Sequence, residues 1–140
     1  MTTSWTDVGA SSPSARVDGT VSVRAIHINE LKTAIDAERA RRSAPVYSWT
    51  DFPVVANSTL IRETHITQLR NAVPVGYNCS TDYAGNPPWY TADDPAISAN
   101  STRVRFVHIN DLRAYVNTEE ATCLCYCNFN CGNNGQCNDN

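Results

Sequence analysis

"RAIHINELKTAI" (24–35), "RETHITQLRNAV" (62–73) and "RFVHINDLRAYV" (105–116) hold all three histidines of the chain. Each His stands three residues after an Arg and four before a Leu. Around it, stripe positions recur at i, i+4, i+8 and i+12: Val23, His27, Leu31 and Ile35, then Ile61, His65, Leu69 and Val73, then Val104, His108, Leu112 and Val116. Ile28, Ile66 and Ile109 widen each stripe. A one-sided apolar face of that period predicts an amphipathic helix in every copy.

Each helix belongs to a larger repeated unit that opens on a Trp-containing turn. The turns read "SWTD" (4–7), "SWTD" (48–51) and a rewritten "PWYTADDP" (88–95). The histidines are 38 and 43 positions apart (27 to 65, 65 to 108), a period typical of small helical units that cannot bury their apolar face alone. "NST" precedes the second and third helices, so Thr59 and Thr102 are the expected N-caps, with Thr20 or Ser22 in the first copy. The first helix is expected to run through "DAERARR", with Arg39, Arg41 and Arg42 at the negative end of its dipole and "SAP" as its stop. Pro74 cuts the second helix short, and the third ends near Glu119 or Glu120.

These readings give a mainly α fold: three short helical repeat units with Trp-containing turns around one small core. Irregular, disulfide-rich loop and tail segments complete it. The repeat domain covers 1–120, with copies at about 4–45, 46–74 and 88–120 and an inserted loop at 75–99. Residues 121–140 form a Cys-rich tail with almost nothing apolar to bury after Cys127, which cannot fold alone without cross-links.

At 140 residues and a formal charge of -3, the chain fits one compact domain and carries no electrostatic footprint for nucleic acid or anionic lipid. No apolar run approaches the roughly 18 residues of a membrane span, so no membrane insertion is expected. The opening "MTTSWTDVGA" lacks the basic and apolar regions of a signal peptide.

Two readings compete for the histidines. Three imidazoles converging on zinc or iron would make an acceptable set of ligands. His27 and Glu30 even show the i, i+3 spacing of carboxylate-bridged metal sites in helix bundles. That reading weakens copy by copy, because Glu30 becomes Gln68 in the second unit and Asp111 in the third. The structural reading is preferred: each buried imidazole needs hydrogen-bond partners, and the Trp turn offers them. His27, His65 and His108 are thus expected to pin their helices to turns bearing Trp5, Trp49 and Trp89, with no metal and no cofactor. Lys32, Arg70 and Arg113, one residue after each Leu, are expected to face solvent or a neighbouring acid.

Five cysteines crowd the tail (Cys123, Cys125, Cys127, Cys131 and Cys137), and Cys79 stands alone in the inserted loop. The C-x-C-x-C spacing lacks the paired C-x2-C knuckles of zinc sites, so disulfides are the expected chemistry, within the chain or between subunits. Tyr77, Tyr83, Trp89 and Tyr90 gather in the same loop, where they form either a sugar- or protein-binding surface or a small core. "NST" (57–59 and 100–102) and "NCS" (78–80) match glycosylation acceptors, although the first two are ordinary cap chemistry. There is no Gly-rich phosphate loop, G-x-S-x-G elbow or H-E-x-x-H sequence, so no catalytic residue is expected.

The units resemble a poorly characterised repeat of bacterial secreted and surface proteins and phage structural proteins, in which Trp-Thr-Asp turns and His-x-x-Glu-Leu-Arg helices recur in tandem. The resemblance covers about residues 4–117. It rests on Trp5, Asp7, Arg24, His27, Glu30 and Leu31, on Trp49, Asp51, Arg62, His65, Leu69 and Arg70, and on Trp89, Arg105, His108, Asp111, Leu112 and Arg113. Gln68 and the rewritten third turn depart from it. The resemblance implies an extracellular, cell-surface or virion setting and a structural or adhesive role.

The leading expectation is a non-enzymatic structural subunit of a filament, surface appendage or phage fibre that partners with itself. An adhesion module gripping cell-surface glycan, a cell-wall polymer or a protein through the aromatic loop 77–95 is the alternative, and a metal-binding protein is third.

Overall fold

The computed structural model of the chain describes residues 3–6, 23–74, 97–98 and 103–122. They form three helices, α1 (Ala25–Arg41), α2 (Glu63–Ala72) and α3 (Phe106–Thr122), and no strand among the described residues. The molecule is mainly helical, as the stripes predict. Cys79, the five tail cysteines, Tyr77, Tyr83, Trp89 and Tyr90 lie outside the described residues.

Each helix packs against both others. The stripes meet at the centre: Ile28, Leu31 and Ile35 from α1, Ile66 and Leu69 from α2, and Ile109, Leu112 and Val116 from α3 are all at most 1% exposed. Burial of such side chains is the main favourable term in folding, at roughly 1.5–3 kcal/mol each before conformational entropy is set against it. No described helix is long and apolar enough to cross a membrane.

The helix starts differ from the expected caps. The N-cap is Arg24 in α1 and Arg62 in α2, both extended (φ -121, ψ 163 and φ -124, ψ 164). Thr59 instead closes the loop ahead of α2. Its hydroxyl accepts the Val55 N–H at 3.1 Å, and its own N–H donates to the Val55 carbonyl at 2.8 Å. The displacement has a local cause. The His three residues after each of these N-caps does the capping from inside the helix, so no hydroxyl is needed before it. Thr20, Ser22 and Thr102 lie outside the described residues.

This shift also relocates the first member of each stripe. Val23 and Ile61 precede the N-cap, and Val104 precedes Arg105 in the same way. All three pack against the core that holds Ile28, Ile66 and Ile109. An apolar residue just before the cap, paired with one at the fourth helical position, is a hydrophobic staple that fixes the angle at which the chain enters a helix.

α1 ends on a hydrogen-bonded Schellman turn. The Ala44 N–H donates to Arg39 O at 2.8 Å and the Ser43 N–H to Ala40 O at 3.1 Å, with Ser43 in the left-handed region (φ 57). The arginines expected to serve this helix's own dipole reach further. Arg39 Nη1 donates to Ala72 O at 2.5 Å, and Arg42 Nη1 to Pro74 O at 3.0 Å. Ala72 O is the last carbonyl of α2, and Pro74 O lies two residues past it, where the proline prevents the helix from continuing. Two buried guanidinium groups at the end of α1 therefore hold the end of α2 and the chain just past it. Glu38 holds this cluster, pairing with Arg41 at 2.6 Å and Arg42 at 3.5 Å.

Candidate functional site

The three imidazoles are fully buried, and their bonds are nearly superimposable. The Arg24 N–H donates to His27 Nδ1 at 3.0 Å, the Arg62 N–H to His65 Nδ1 at 2.9 Å, and the Arg105 N–H to His108 Nδ1 at 3.0 Å. In return the His27, His65 and His108 N–H groups donate to the Arg24, Arg62 and Arg105 carbonyls at 3.0, 3.1 and 3.1 Å. Because Nδ1 accepts, a neutral ring carries its proton on Nε2. The imidazole thus fills the role of Glu or Gln at the third position of a capping box, in surroundings where a carboxylate would be costly to bury.

The Nδ1 bond therefore goes to the ring's own helix. His65 meets the second turn through aromatic contact. It lies edge-on to Phe52 at 5.4 Å, Phe52 lies 4.9 Å from Trp49, and Trp49 lies 4.7 Å from Tyr47. Its Nε2 has no hydrogen-bond partner among the described residues.

What holds the first two Trp turns is the residue three after His27 and His65. Glu30 accepts the Thr6 N–H at 3.1 Å and also the Thr6 hydroxyl. Gln68 accepts the Thr50 N–H at 2.8 Å and donates to the Thr50 carbonyl at 3.0 Å. The change from Glu to Gln, which counted against a metal site, is explained here: either side chain can accept a backbone N–H.

The indoles go to a different helix. Trp49 Nε1 donates to Asp36 on α1 at 2.9 Å, and its ring lies 5.3 Å from Lys32 Nζ. Trp5 Nε1 donates to Asn117 on α3 at 3.0 Å, and its ring lies 5.0 Å from the Arg113 guanidinium. Asp36 and Asn117 are both nine residues after a His, and Lys32 and Arg113 both five. Each of these turns is a clamp, with its Thr on the helix that follows and its Trp on another. For the second turn the other helix is the preceding one, α1. For the first turn it is α3, the last of the three, so the set closes on itself. Trp89 and the third turn lie outside the described residues.

Of the two alternatives expected for Arg113, solvent or a neighbouring acid, it takes the second, and does so inside the core. It is fully buried, donating to Thr6 O at 3.0 Å and to Glu30 at 3.1 Å. Arg70 is buried too, and Lys32 is half-buried between Trp49 and Asp36. The signal was in the sequence: a cation falls at the same repeat position in all three copies. It reads as surface charge only until the Trp ring stacked on it is seen.

Gln68 and Glu30 do related work with different demands, and substitution separates them. Gln68→Glu keeps the acceptor but loses the donor to Thr50 O, an expected loss of about 0.5–1 kcal/mol in urea unfolding. Glu30→Gln removes the charge facing buried Arg113, an expected loss of about 2 kcal/mol. Equal losses would contradict this division.

Among the described residues no group of three or more His, Cys, Asp or Glu side chains is placed to hold a metal ion. Protein-family models, curated proteins and solved structures give no match to this chain.

Proposed function

We propose that the chain is a non-enzymatic structural module of an extracellular, cell-surface or virion assembly, one that associates with itself and is braced by its Cys-rich tail. The observation that supports it most is the use of the imidazoles. All three accept a backbone N–H at the start of their own helices, so the residues best suited to acid–base or metal chemistry serve the fold.

The clamp by the first turn on α3 bears on how such a module would associate. The three copies complete one interior, so no further copy need stack on an open end, as solenoid arrays require. Association then falls to the segments that run between and beyond the helices. The tail carries five of the six cysteines. An adhesive role for loop 77–95 is the alternative.

Electron microscopy and light scattering, with and without reductant, test the proposal. Oligomers or filaments in oxidising buffer that shorten or disperse on reduction are expected. Compact monomers under both conditions would overturn self-association.

A further inference from the structure

We draw no further inference here: the strongest candidate, the apolar groove of about 620 Å³ that runs along Ala25, Ile26 and Ala37 of α1 between the first Trp turn and the loop at Val54 and Ala56, carries nothing because nothing in the structure shows what covers it.

Discussion

Arg113→Met is expected to lower the unfolding free energy by about 3 kcal/mol, more than any other polar substitution proposed for this chain. Arg113 is fully buried, with Trp5 against its guanidinium at 5.0 Å and bonds to Thr6 O and Glu30 at 3.0 and 3.1 Å. Methionine keeps an unbranched apolar chain of similar reach, so little packing is lost. Glu30 is left without its cation while its own side chain is only 21% exposed. That partial exposure holds the loss near the lower end of the range for a broken buried pair. Lys32→Met is the control. It is the equivalent position on α1 and stacks on Trp49, but its side chain is 26% exposed and its partner Asp36 35%. Solvent screening reduces the expected loss there to below about 1 kcal/mol. Equal losses from Arg113→Met and Lys32→Met in urea unfolding would contradict a buried, charge-dependent clamp between the first turn and α3.

His65→Leu should lose about 2 kcal/mol, and His65→Gln distinctly less. Leucine preserves the apolar character of a fully buried position but leaves the Arg62 N–H without the acceptor it has at 2.9 Å. Glutamine carries an acceptor with the reach usual for the third position of a capping box. Hydrogen exchange provides a local readout. In the Leu variant the first-turn amides of α2 should exchange faster relative to those of Leu69 and Arg70. If His65→Leu proved neutral, the ring would be core filler and not a cap.

The helices were legible because the stripe from Leu31 to Ile35, and its counterparts in the other copies, repeat at one helical period. The cap was not, for a physical reason. A hydroxyl in "NST" is the usual acceptor at a helix start, while His65 at the third helical position sits inside an apolar stripe and so reads as buried core. It is both core and cap, because an imidazole can bury its ring and still offer Nδ1 to the backbone. The Trp clamps were half visible. The Trp turns were expected to meet the His helices, and the first two do so where Thr6 and Thr50 reach Glu30 and Gln68. The indole partners Asp36 and Asn117 were missed, since they lie on another helix and single polar residues at that spacing show no pattern. Closure of the first turn on α3 joins residues 112 positions apart, a pairing that local periodicity does not encode.

Each imidazole is fixed as an acceptor at the start of its own helix, and 15N NMR of the histidine rings tests that most directly. The predicted spectrum has three neutral rings protonated on Nε2, with each Nδ1 coupled through a hydrogen bond to the amide nitrogen of Arg24, Arg62 or Arg105. Rings protonated on Nδ1, or rings averaging between tautomers as they do in water, would contradict it.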